Sequence, residues 1–338
     1  MFVKNAWYVA ALSHEVGRSL LPRRLLGEAV VLYRKEDGAP AAIEDRCSHR
    51  FYPLSNGMLK GDTVICEYHG LEFDCEGQCL RIPGQDTVPR GAHIRGFTVR
   101  EKWQFVWIWM GDPQLADESL IPNLWMHEAP GWATSVAGRV TVNGDYRLLA
   151  DNLLDSSHVA YLHRTTLASD VSDVPVEYDF GEWQVRATRW TIDRPPAPMF
   201  AQMRDFPGNV DRWQITTFTA PSFIEVDLGS CATGTGARQG DRREGVEMRA
   251  INLATPADAD SFHYFYSHNR NFRLDDTQLT AMTCAFIDTA ISEDVRAIEG
   301  VHAGFRRYPG LSPLHIKLDG AGLRARRIID DLLQAEAR

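Results

Sequence analysis

Two short stretches decide how this chain is read: Cys47-Ser48-His49-Arg50 and Cys66-Glu67-Tyr68-His69-Gly70. Each brings one thiol and one imidazole into a single turn region. They sit among short β-prone runs separated by turn residues. Residues 29–33 and 40–43 flank Asp37-Gly38, and residues 71–73 and 78–82 flank Glu76-Gly77. Both are hairpin signals, because a tight turn needs the positive φ that glycine adopts without strain. Residues 96–100 and 104–109 predict a third hairpin around Glu101-Lys102, before Gly111-Asp112-Pro113 breaks the pattern. Residues 1–112 therefore read as a small all-β domain and 113–130 as a connection.

The remainder, 131–338, mixes the two periodicities. Strand-like runs recur at 132–142, 183–192, 212–219, 223–228, 246–254 and 261–267. Helical character covers 146–162, 276–301 and 322–337, and the Gly/Thr/Arg-rich 229–243 reads as an exposed loop. The expected fold class is α+β, with helices set against an antiparallel sheet. Tryptophans 107, 109, 183, 190 and 213 are expected in the core.

A chain of 338 residues with 44% hydrophobic side chains can bury ordinary cores without disulfide staples. With 36 basic against 45 acidic residues the net charge is -9, and no basic block suggests a nucleic-acid partner. The most apolar run, 105–110, is far too short to span a bilayer. The opening MFVKNAWYVAAL has neither the apolar core nor the cleavage site of a signal peptide. A cytoplasmic setting is expected, where six cysteines stay reduced and free for metal.

Two Cys and two His, one of each per half, form the ligand set of a Rieske [2Fe–2S] centre. Neutral imidazoles in place of two thiolates make such a cluster less anionic and raise its potential. A Cys₂His₂ zinc site competes, but zinc fingers group both Cys in one half. The pattern favours the cluster on Cys47, His49, Cys66 and His69; a red-brown protein would mean the cluster, a colourless one zinc. Cys75, Cys79, Cys231 and Cys284 read as ordinary thiols.

A second constellation starts at Asp151-Asn152-Leu153-Leu154-Asp155-Ser156-Ser157-His158 and reaches His163. Five residues apart on an intact helix, the two imidazoles would point about 140° apart. They converge only if the helix ends or carries a π-bulge there. Asp294 falls within an apolar helical stripe of Leu279, Phe286, Ala290, Ile298 and Val301. A carboxylate on a buried face needs a partner. That partner is either an arginine or, with His158 and His163, an Fe(II) held by two His and one carboxylate.

The two motifs together resemble the Rieske non-haem iron oxygenases, and the resemblance spans essentially the whole chain. Respiratory Rieske proteins carry an extra Cys pair at places that here hold Tyr52 and Tyr68, so the likeness is to the oxygenase and ferredoxin type. Flanking stretches such as Asn5-Ala6-Trp7-Tyr8, Asp211-Arg212-Trp213-Gln214 and Arg270-Asn271-Phe272 look like the vanillate O-demethylase, toluenesulfonate methyl-monooxygenase and dicamba O-demethylase subgroup. The resemblance implies a helix-grip (START-like) catalytic domain, a [2Fe–2S] cluster, a mononuclear Fe(II) and O₂ as co-substrate. NAD(P)H would enter only through a separate reductase carrying flavin and a ferredoxin-type cluster. It further implies a homotrimer in which Asp155 bridges His69 of one chain and His158 of the next, with Asn152 beside it in the catalytic set. A vanillate-like methoxy group would be hydroxylated and lost as formaldehyde. An aromatic sulfonate methyl and an amine or betaine N-methyl are alternatives, and Asn252 and Arg212 are candidate substrate contacts. A Rieske ferredoxin, an electron carrier only, would need no more than the first domain.

Overall fold

The structure, a computed structural model, describes residues 1–164 and 174–337, and divides into two compact units. The first comprises Met1–Asn123 with Thr255–Asp260; the second comprises Leu124–Ala254 and Ser261–Arg338.

In the first unit, three small antiparallel sheets are built from ten strands: β1 (Trp7–Leu12), β2 (Leu21–Leu25), β3 (Glu28–Arg34), β4 (Pro40–Glu44), β5 (Met58–Lys60), β6 (Thr63–Ile65), β7 (Glu72–Phe73), β8 (Cys79–Arg81), β9 (Thr98–Lys102) and β10 (Phe105–Trp109). They pair as β1-β10-β9, β2-β3-β4 and β5-β6-β7-β8. Strand β3 separates two cores. Val30 and Leu32 join Tyr8, Leu25, Val106 and Ile108 on one side. Val31 and Tyr33 join Ile43, Val64, Phe73 and the two motif cysteines, Cys47 and Cys66, on the other. A strand buried on both faces reads as a continuous apolar run, which is why Val30-Val31-Leu32-Tyr33 does not alternate. Each side chain so buried stabilises the fold by about 1.5–3 kcal/mol. The buried indoles satisfy their N–H groups: Trp107 donates to Lys102 O (3.0 Å), Trp109 to Asp112 O (2.8 Å) and Trp7 to Asp117 O (2.8 Å).

The third hairpin turns later than its sequence suggests. Lys102 pairs with Phe105, and the turn is Trp103-Gln104, with φ of 59° and 66°. Two consecutive positive φ values suit the twist of a two-residue hairpin, even without glycine. Glu101 stays in the strand and pairs with Arg34 (2.6 Å).

The second unit contains β11 (Ala133–Val142), α1 (Arg147–Leu154), α2 (Val159–Leu162), β12 (Glu177–Phe180), β13 (Gln184–Arg194), α3 (Pro198–Met203), β14 (Val210–Thr219), β15 (Phe223–Ala232), β16 (Val246–Asp258), β17 (Ser261–Arg270), α4 (Thr277–Arg307) and α5 (Gly320–Glu336). Its seven strands form one sheet in the order β11-β17-β16-β15-β14-β13-β12. The pairings resolved strand by strand are antiparallel. Together they make the α+β arrangement of sheet and helices.

Three sequence expectations change here. The stretch read as a loop from residue 229 begins as strand: Ser230 and Cys231 are fully buried. Gly229 is needed because a Cβ there would lie 2.1 Å from Cζ2 of the buried Trp213 ring. On α4 the buried stripe drifts through Thr283, Ile287 and Ile291, leaving Val301 half exposed, and Trp183 is 47% exposed rather than core. Asp276 caps α4 by accepting from the Leu279 N–H (2.8 Å). Among the described residues, no helix is long and apolar enough to cross a membrane.

Candidate metal centres

The two cysteine–histidine loops of the first unit are built alike. The Phe51 N–H donates to Cys47 O (2.9 Å) and the Cys47 N–H to Tyr52 O (2.8 Å). At the same offsets, the Gly70 N–H donates to Cys66 O (2.9 Å) and the Cys66 N–H to Leu71 O (2.8 Å). The fourth residue after each cysteine has positive φ, 58° at Phe51 and 71° at Gly70. At Gly70 a side chain is excluded twice, since a Cβ would also lie 2.9 Å from Pro83 Cγ. The paired loops bring the His49 and His69 rings to 4.6 Å between centroids and bury both thiols, while both imidazoles stay exposed. Burial pushes the Cys47 thiol up to about 11; the His49 N–H opposes it, and the hydrogen bond and charge of Cys66 add to it. Two adjacent thiols on one side and two rings on the other are what a cluster with unlike irons requires.

In the second unit the break in the helix solves the five-residue spacing. Helix α1 stops at Leu154, and Asp155 is extended (φ -98°, ψ 95°). A 3₁₀ turn over Ser156–His158 leads into the four-residue α2, and His163 follows it in non-helical conformation (φ -100°, ψ 37°). The helix therefore ends rather than bulging, and the His158 and His163 rings converge to 5.2 Å. Asp294 of α4, buried as expected, faces imidazoles rather than arginine. Its Oδ1 lies 3.1 Å from His163 Nε2 and 3.6 Å from His158 Nε2, and it accepts from Asn152 Nδ2 (3.0 Å). One donor atom from each of His158, His163 and Asp294 lies within 4.8 Å of the others.

Each imidazole is aimed by its other nitrogen. His163 Nδ1 meets Glu293 Oε2 at 2.7 Å, and His158 Nδ1 meets the backbone carbonyl of Asp155. With both Nδ1 atoms so engaged, both Nε2 atoms face the carboxylate, the arrangement in which histidines coordinate a cation. Burial lowers the His158 pKa. Burial also pulls on His163, but the hydrogen bonds and charges of Asp294 and Glu293 outweigh it and leave its pKa raised. The donor set, two imidazoles and one carboxylate on one side, fits non-haem Fe(II).

The Asp155 carboxylate is not the group that hydrogen-bonds His158. It accepts from the Ser157 N–H (2.8 Å) and Ser157 Oγ (3.0 Å), so the backbone carbonyl, not the acid, orients the ring. Glu293 is the residue that sequence reasoning underused. The adjacent pair Glu293-Asp294 was its signal: neighbours on a helix point 100° apart, here reaching opposite nitrogens of one ring.

The same unit encloses a cavity of about 330 Å³ running from His158, His163 and Asp294 to the sheet face. Most of its wall is apolar, including Phe200, Leu228, Met248, Phe286 and Ile291. Arg212 and Asn252 both line it, so Arg212 is not a surface residue. Burial lowers the Arg212 pKa, and the charge of Arg189 lowers it further. The Asn252 amide is tied to the sheet, donating to Ile224 O (3.3 Å) and Ala250 O (3.4 Å) and accepting from Tyr264 Oη (2.6 Å).

Comparison with known proteins agrees with both centres. Residues 6–92 match the Rieske [2Fe-2S] domain, and residues 142–335 match the vanillate O-demethylase oxygenase C-terminal domain. The chain belongs to the Rieske non-haem iron oxygenases. It is 38% identical to a putative toluene-4-sulfonate monooxygenase system iron-sulfur subunit of Comamonas testosteroni, over 99% of this chain and 98% of the relative. It is 36% identical to the vanillate O-demethylase oxygenase subunit of Pseudomonas sp. strain HR199, over 99% and 96%. A solved dicamba monooxygenase with non-heme iron and dicamba superimposes with a TM-score of 0.86 at 32% identity, covering 99% of this chain and 98% of that one. As a Rieske oxygenase, this protein uses a [2Fe–2S] cluster and a mononuclear non-haem iron, and serves as the oxygenase component of a monooxygenase.

Proposed function

We propose that this Rieske oxygenase hydroxylates a methyl or methoxy carbon of a small aromatic acid, a vanillate-like O-demethylation that releases formaldehyde. The observation that carries the reading is the cavity: about 330 Å³, mostly apolar, with the His158, His163 and Asp294 cluster at its wall and Arg212 among its other lining residues. That volume suits a substituted benzene ring. Arg212 supplies the counter-charge for a carboxylate or sulfonate. Apart from Asp294, the described lining contains no acidic side chain, which argues against a cationic amine or betaine.

In this reading Cys47, His49, Cys66 and His69 hold the cluster, and His158, His163 and Asp294 hold the iron. When bound, the two centres supply one-electron transfer and O₂ activation. The chain does the rest. Glu293 and the Asp155 carbonyl fix the imidazoles, Asn152 fixes Asp294, the apolar wall excludes water, and Arg212 sets the direction of the ring. Asn252, with three hydrogen bonds spent on the protein, has one oxygen lone pair left for substrate. A head-to-tail trimer places Asp155, its carboxylate not hydrogen-bonded to His158 within the chain, between His69 of one subunit and His158 of the next. Relatives described as oxygenase components and subunits of larger systems support a separate reductase and an aromatic substrate.

The test is turnover with a surrogate reductase and NADH on methoxybenzoates, reading formaldehyde and oxygen uptake together. Stoichiometric formaldehyde from vanillate is expected. A hydroxymethyl product from toluene-4-sulfonate, with no reaction on methoxybenzoates, would move the substrate to aromatic sulfonates, the reading favoured by two relatives at 38% identity.

A further inference from the structure

Histidines buried in a folded protein almost always have a hydrogen-bond partner. In the second unit His127 Nε2 meets Ser267 Oγ at 2.8 Å, His302 Nδ1 accepts from the Asp145 N–H (3.3 Å), and His263 Nδ1 lies 3.4 Å from Arg139 Nη1. His268 differs. It stands on β17, two residues on from Tyr266 and four from Tyr264, and lines the substrate cavity. Among the described residues its ring has no hydrogen-bond partner at all. Burial pushes its pKa down to about 4, so at neutral pH it carries one N–H and one lone pair and no charge.

A ring of that kind on a cavity wall is satisfied by solvent while the cavity is wet. A substrate that displaces the solvent must replace the hydrogen bond or leave the imidazole unsatisfied. The group it meets is not the acid. Arg212 sits on β14, and β14 and β17 are three strand spacings apart in the sheet, roughly 14 Å. The two side chains therefore reach the cavity from well-separated strands of the same sheet, one charged and one neutral.

We propose that His268 is a specificity-determining residue: it hydrogen-bonds a phenolic hydroxyl on the ring of the aromatic acid, remote from the acid group. A hydroxyl suits a neutral imidazole because it can donate to the lone pair or accept from the N–H. This inference rests on the aromatic-acid reading above and names the second group by which that substrate is recognised.

The experiment measures dissociation constants on the holoenzyme by calorimetry for vanillate and 3-methoxybenzoate, which differ only in the hydroxyl. Wild type should bind vanillate on the order of tenfold more tightly. In His268→Leu the ratio should fall to near one, with 3-methoxybenzoate bound as well as before, and His268→Gln should recover part of it. Cluster absorbance and iron content report that each variant is folded, and the glutamine variant carries the comparison if the leucine one is not. A ratio unchanged in either variant, or equal weakening of both ligands, would overturn the assignment and make His268 structural. If neither acid binds wild type, the aromatic-acid reading fails and this inference falls with it. If both bind without discrimination in wild type, only the role of His268 fails.

Discussion

Replacing Glu293 tests whether His163, the proposed iron ligand, is positioned from behind. Its carboxylate lies 2.7 Å from His163 Nδ1, with side-chain exposures of 15% for the acid and 1% for the imidazole. Solvent screening is therefore weak, and the contact counts as a charge-assisted hydrogen bond worth about 1.5–3 kcal/mol. Glu293→Gln keeps an acceptor oxygen and the ring's orientation but loses the charge, so about half of that remains. Fe(II) affinity should fall roughly tenfold. Glu293→Leu removes acceptor and charge together and should cost about a hundredfold, the upper end for residues behind a metal ligand. The assay is Fe(II) titration of protein stripped of its mononuclear iron, with the visible absorbance of the cluster as internal control. That absorbance should not change, because the cysteines proposed to hold the cluster, Cys47 and Cys66, lie in the other unit. Affinities within twofold of wild type for both variants would refute the positioning role. Complete loss of iron in Glu293→Gln would show instead that Glu293 is itself a ligand.

Two further outcomes follow from the same geometry. Asp294→Ala removes the only carboxylate within reach of both Nε2 atoms among the described residues, so metal analysis should show the mononuclear iron lost and the two cluster irons and two sulfides retained. Asp155→Asn leaves the backbone carbonyl that holds His158 untouched, so both centres should stay occupied while turnover falls by orders of magnitude; wild-type turnover in that variant would make Asp155 a cap for Ser157 and nothing more.

Much of this was legible in short stretches of chain. The Cys-x-His and Cys-x-x-His pairs, the Asp37-Gly38 and Glu76-Gly77 turns, and the start of α4 near Asp276 depend on residues within a few positions of one another. Helical pitch likewise shows that His158 and His163 can share one cation only if the helix ends or bulges between them. Where facing mattered, the sequence was silent. Trp183 and Trp213 are the same residue type on neighbouring stretches, yet one is 47% exposed and the other buried at 1% against Gly229. Arg212 looked like any strand arginine until pairing of β14 with β13 and β15 put it on the cavity wall beside the charge of Arg189. Nor could one dimension show that the hairpin tip Thr255–Asp260 joins the N-terminal unit, where Leu26 and Gly27 donate to Pro256 and Ala257. Ligand chemistry and chain breaks are set by local residue type and helical or strand period. Which nitrogen of an imidazole is held, by Glu293 or by a backbone carbonyl, is decided only when helices distant in sequence pack and bury the alternatives.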